Sequence, residues 1–192
     1  MTFNMKDRKD AARRPSGPEI KPGTYMGRIV GVVLTGKQKQ MAWKGEPQKP
    51  PKEEFFVMVE FPKLRVEVDG ESKPKWLSKR FKVIGSGQYG YENSNVFKML
   101  DSLMDDCDYS TLVDKTVMCV LGKNSNGGTS IINISPAPDE LDVPALENEV
   151  ILFDFYDPDL NMYEMLPNWM REVCTEAVDF EGSPLSVALD NV

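Results

Sequence analysis

Between Lys37 and Lys52 the sequence KQKQMAWKGEPQKPPK sets five lysines, Lys37, Lys39, Lys44, Lys49 and Lys52, against one acid, Glu46, and places Trp43 among them. The chemistry open to such a segment is recognition. Ammonium groups neutralise phosphates and an indole face stacks on bases, a combination suited to single-stranded nucleic acid. A solvated loop with an incidental Trp43 has the same composition. Further candidates of the same chemistry are spread along the chain. In WLSKRFKVI, Trp76, Arg80 and Lys82 share one parity, the composition of a surface that stacks on bases and follows phosphates. The glycine-rich GSGQYGYEN carries Tyr89 and Tyr91, GKNSNGG carries Lys123, and Arg28 and Phe56 lie on apolar segments.

Candidates for catalysis are weaker. Histidine is absent, which removes the commonest general acid/base and metal ligand. Asp101, Asp105, Asp106 and Asp108 cluster at a polar helix end, and Asp154, Asp157 and Asp159 lack the glycine and terminal glutamate of an EF-hand loop. We therefore expect no catalytic residue, no metal ligand and no cofactor, and the chain reads as a binding protein, not an enzyme.

The net charge of −7 conceals a division. Residues 1–137 carry a net +6, and residues 138–192 a net −13 with a single basic residue, Arg171. A basic body with an acidic tail fits nucleic-acid binding by one part and repulsion or partner recruitment by the other. Three dispersed cysteines suggest neither a zinc site nor a disulfide framework. With no long apolar run and no secretory signal pattern, a cytoplasmic, membrane-free protein is expected.

The elements that must position these side chains read as β-rich. Residues 1–22 form a basic, proline-interrupted arm. GTYMGRIVGVVLT, residues 23–35, is apolar on both parities and carries Gly27 and Gly31, as a bent strand shared by two sheets requires. In EEFFVMVEFP, residues 53–62, alternation puts Phe55, Val57, Val59 and Phe61 toward a core and leaves Phe56 on the other face, either open to a partner or packed in a hydrophobic seam under a neighbouring helix. A Val68-Asp69-Gly70-Glu71 turn leads to a third strand over 76–84, a helix over about 94–106, and strands over 115–121 and 129–134 joined by an emphatic turn. Three strands, a helix and two strands describe a mainly β, five-stranded OB-type barrel over residues 23–137. In that architecture the sheet face and the loops after strands 1 and 4 hold oligonucleotides. The acidic extension, 138–192, contains a short strand (VILFDFY) and a helix over 167–178 with an apolar stripe of Leu166, Trp169, Met170, Val173, Cys174 and Ala177. Docking on its own barrel, pairing with a second subunit and binding a partner protein all suit that stripe.

The order G-T-Y-x-G-R-I-V-G-V, a lysine/glutamine loop, E-F-F-V-M-V-E-F, and F-D-x-x-D-P-D with L-P-x-W-M resembles small phage-encoded single-stranded DNA-binding proteins with an OB fold, over roughly residues 20–178. The resemblance implies binding of single-stranded DNA without sequence preference in phage DNA replication or recombination, in the host cytoplasm. It also implies an acidic C-terminal segment that reaches replication or recombination proteins. Here the last ten residues contain one acid, Asp190, which moves that role to residues 139–181. The expected interface comprises Arg28, Lys37, Lys39, Lys44, Lys49, Lys52, Arg80, Lys82 and Lys123 on phosphates, with Trp43, Phe56, Trp76, Tyr89 and Tyr91 on bases. The acidic extension is expected to compete with DNA for this face. The rival readings are an OB-fold adaptor in a replication or virion complex and a metal-dependent nuclease.

Overall fold

The computed structural model describes residues 20–42 and 44–191, so the basic arm up to residue 19 and Trp43 lie outside the described residues. Five strands run antiparallel in the order β3-β2-β1-β4-β5: β1 Gly23–Gln38, β2 Lys52–Val68, β3 Glu71–Lys82, β4 Thr116–Lys123 and β5 Thr129–Pro136. A sixth, β6 Ile151–Phe153, runs parallel to β1.

Strand β1 serves two groups of neighbours. One edge pairs with β2 from Arg28 to Gln38, and the other with β4 over Gly23–Arg28 and then with β6 over Gly31–Val33. A register shift between Ile29 and Gly31 makes the change of direction. The glycines foreseen for it are required by proximity. A Cβ on Gly27 would sit 2.7 Å from the Glu60 carbonyl oxygen, and one on Gly31 2.7 Å from that of Ile151. At the β2–β3 turn Asp69 and Gly70 both have positive φ, 52° and 82°, the geometry whose twist suits a two-residue hairpin. β3 begins five residues before the expected Trp76, because its first residues form a solvated hairpin arm with little apolar alternation.

The helix expected over 94–106 is shorter. Ser94 caps α1, Asn95–Leu100, by accepting from Phe97 N, and short 3-10 helices flank it at Tyr91–Asn93 and Asp101–Leu103. Asp106 and Cys107 then turn the chain through left-handed backbone.

Two cores lie on the two faces of the sheet. The first holds Phe55, Val57, Val59 and Phe61, as their alternation requires, with Val96 and Leu100 of α1 and Val117, Leu121, Ile131 and Ile134 of β4 and β5. Lys79, the charge between Leu77 and Phe81 on the apolar parity of β3, has a structural task there. Its Nζ donates to the Ile131 carbonyl at 2.9 Å and ties the edge strand β3 to the edge strand β5.

The second core is built by the extension. Val30, Val33, Phe56 and Met58 on the opposite sheet face pack with Phe153, Phe155, Tyr163 of α2 (Leu160–Met165), Met170 and Cys174 of α3 (Asn168–Thr175), and Leu185 of α4 (Pro184–Asp190). Buried side chains of this size each stabilise the fold by about 1.5–3 kcal/mol. The proline- and acid-rich stretch before β6 is also tied down. The fully buried Glu60 carboxylate accepts from Glu147 N, Asn148 N and Asn148 Nδ2 at 2.7–3.0 Å, and Arg65 forms a two-point pair with Glu147. Of the three uses considered for the extension, docking on its own sheet is therefore realised. No helix among the described residues is long and apolar enough to cross a membrane.

Candidate nucleic-acid interface

Where β1 and β3 end and β2 begins, a cleft of about 600 Å³ opens between the root of the basic loop and the start of α1. Strand register makes it cationic. Arg80 stands opposite Phe56 and Lys82 opposite Glu54, so both basic residues finish β3 at the cleft wall, facing Lys39 just beyond β1. Asn93 and Asn95 add polar groups from the other side.

The loop that supplies Lys39 is anchored. Gln40 Nε2 donates to Glu54 Oε1 at 2.7 Å and to Gln38 O at 3.0 Å, and Gln48 Nε2 closes the loop on Gln40 O at 2.6 Å. Glu54, whose side chain is only 7% exposed, also receives Arg80 Nε. The Arg80 guanidinium lies over the Phe56 ring, 5.6 Å from its centroid. It is thus held at one edge and on one face. Its terminal nitrogens make no hydrogen bond to the described residues, which leaves a planar fork suited to an oxyanion.

The remaining expected contacts divide. Lys37, Lys44, Lys49 and Lys52 are exposed, with Lys37 and Lys52 in the adjoining β1–β2 ladder and Lys49 paired to Glu46 at 3.2 Å. The Lys37 backbone is gripped by the extension: its N donates to Asp179 Oδ1 at 2.9 Å, and its carbonyl accepts from Val178 N at 2.8 Å. Tyr89 stands fully exposed on the glycine-rich loop. Trp43 lies outside the described residues.

Five expected contacts are placed elsewhere. Phe56 takes the second of its two readings, a seam under a helix: it is buried under α3 and meets Trp169 edge-on with centroids 5.3 Å apart. Trp76 is half-buried against the same core. Tyr91 is buried, its hydroxyl donating to Asp101, and burial together with that carboxylate pushes the phenol's pKa up. These rings are held by packing and do not face the cleft as free platforms. Arg28 Nη1, Nη2 and Nε bond Asp114, Val143 O and Pro144 O at 2.7–3.1 Å, so its guanidinium fastens the linker to the sheet. Lys123 ends β4 beside the beginning of β1, whereas the cleft lies past the end of β1.

Sequence reasoning missed Met41, 92% exposed beside the cleft, and the pair Gln40–Glu54 that orders its wall. For Glu54 a signal was present: in EEFFVMVEF it occupies the parity of Phe56 and Met58. The acidic clusters have local tasks. Asp108 caps the 3-10 helix at Tyr109 by accepting from Ser110, which also holds its carboxyl low, and Asp159 caps α2. No family model, no curated protein and no solved structure matches this chain.

Proposed function

We propose that the protein binds single-stranded DNA without sequence preference, serving the phage replication or recombination role that its resemblance implies. The observation that carries this reading is the cleft itself, in which Lys39, Arg80 and Lys82 converge and the acid that lines it among the described residues, Glu54, holds Arg80 and Gln40 in place. In this mechanism Arg80 takes a phosphate through its free edge, and Lys39 and Lys82 neutralise its neighbours. Lys37, Lys44, Lys49 and Lys52 extend the positive field over the loop. Tyr89, and Trp43 from the same basic loop as Lys39 and Lys44, stack on bases. Each such ring contributes about 1–3 kcal/mol, and because every base has a face the preference among sequences is slight. Phe56 and Trp76 act from beneath, as the packed floor under Arg80 and its strand.

We read the sheet as an OB-type barrel whose β3–β5 seam is joined through Lys79 and Ile131; the order of strands and the helix before β4 support this. The extension, which the second core binds to the sheet, presents its acids outward, a surface suited to replication or recombination proteins.

The test compares oligo(dT), a mixed-sequence strand and the matching duplex by fluorescence anisotropy, with wild type and R80A/K82S. The expected result is similar affinity for both single strands, weaker duplex binding, and a marked loss in the variant. Equal binding of all three by both proteins, or binding of none, overturns the proposal in favour of an adaptor role. Mg²⁺-dependent degradation of the strand would favour a nuclease.

A further inference from the structure

A second cationic recess lies at the other end of β3. Its volume is about 280 Å³, and its wall includes Lys21, Lys63 and Lys75 over a floor of Ile20, Leu64 and the Tyr25 ring. Its construction follows from a bulge. The β2–β3 register slips between Phe61 and Arg65, which takes Lys63 and Leu64 out of the ladder and turns them toward the recess. Tyr25 donates to Lys21 O at 2.8 Å and so fixes the Lys21 backbone beside it. Arg65 nearby is committed to Glu147 and Ser72. Lys21, Lys63 and Lys75 have no acidic partner among the described residues. These three ammonium groups around an aromatic and aliphatic floor offer phosphate contact and a surface for a base at one place.

We propose that this recess is a second binding site for the same polyanion, taking phosphodiester groups of single-stranded DNA that runs on from the cleft. The proposal rests on the single-stranded DNA reading given above. Lys75 and Lys82 are seven positions apart on β3, about 23 Å at roughly 3.3 Å per residue, so a short strand engages one site and a longer one both. Joined in this way, two weak sites act with the effective concentration of a tethered pair, and affinity rises steeply once a strand spans them.

The experiment measures binding of oligo(dT) of about 4 and about 16 nucleotides, the range covered by single OB folds, at several salt concentrations. Proteins compared are wild type, the recess variant K63S/K75S, a second recess variant K21S, and the cleft variant K39S/K82S, each with its urea midpoint as a check on folding. For the long strand, K63S/K75S should lower the salt slope by about 1.4, two phosphate contacts at roughly 0.7 each, and K21S by about half of that. Neither should change binding of the short strand, whereas K39S/K82S weakens both lengths. Unchanged long-strand binding in the two recess variants, with the cleft variant still defective, overturns the second site and leaves the first standing. Preference of the recess for polyglutamate over the long strand also overturns it. If wild type binds neither length in a salt-dependent way, both readings fall together.

Discussion

The ring of Trp169 meets Phe56 at an interplanar angle of 83°, so the helix of the acidic extension sits on the sheet face that sequence parity had left open for bases. The extension is joined to the sheet face by a hydrophobic core. Removing residues 138–192 would expose Val30, Val33, Phe56 and Met58 and leave Glu60 without its donors. We predict that this truncation yields insoluble or unfolded protein. It should not yield a tighter DNA binder, the outcome expected if the tail only shielded the sheet electrostatically. The milder W169A should lower stability by about 2–3 kcal/mol, less than a fully buried ring, because Trp169 is partly exposed. A urea titration measures it.

Much of this arrangement was legible in the sequence because period and turn chemistry report directly on local structure. Phe55, Val57, Val59 and Phe61 found the core through alternation, Asp69-Gly70 the turn, and Gly27 and Gly31 the bend. What alternation cannot report is which second layer covers the other face. For Phe56 and Met58 a covering helix is one of two outcomes that alternation allows, and it does not name the helix, because their partners, Trp169 and Met170, lie over 100 positions away. The groups that hold Arg28 are equally remote in sequence. A cation in an exposed strand looks free until a distant segment, here Val143 and Pro144, brings carbonyls to it.

Glu60 offers a separate test of the linker. Its buried carboxylate organises three N–H donors, and E60A would leave those donors unsatisfied. A loss of roughly 2–4 kcal/mol is expected. E60Q, which keeps the shape but presents a dipole to all three donors, should lose less. Thermal unfolding of the two variants should rank them in that order.

Glu54→Gln separates positioning from bulk charge. The substitution removes a negative charge from a cationic cleft, so simple attraction would strengthen DNA binding. Because Glu54 holds Arg80 by Nε and Gln40 by Nε2, we predict the opposite, a weakening on the order of 1 kcal/mol. Anisotropy titration decides, and tighter binding by E54Q would remove Glu54 from the mechanism.

Alkali should destabilise the fold through its buried thiols. Burial pushes Cys119 and Cys174 up from 9.0 to about 12. In the unfolded chain these thiols ionise first, so the native state binds more protons above pH 9.0, and stability falls from there until the folded values near 12 are passed. Lys79, lowered by desolvation, acts with opposite sign as pH approaches 10.5. Cys107, held low by its hydrogen bonds with Tyr91 and Ser86, also acts with opposite sign, but the two raised thiols and the phenols of Tyr91, Tyr109, Tyr156 and Tyr163, raised chiefly by burial, outweigh these groups, so the urea midpoint should drop between about pH 9 and pH 11. C119A/C174A should flatten that drop while lowering the midpoint at neutral pH.

We propose that Lys39, Arg80 and Lys82 form one phosphate-binding cleft, and the salt dependence of single-strand binding measures their joint contribution. Three contacts at about 0.7 each predict that the logarithm of the association constant falls with the logarithm of salt concentration with a slope near −2 or steeper, and that R80A/K82S brings the slope back by about 1.4. A slope near zero in wild type, or the same slope in wild type and variant, would remove these three side chains from phosphate binding.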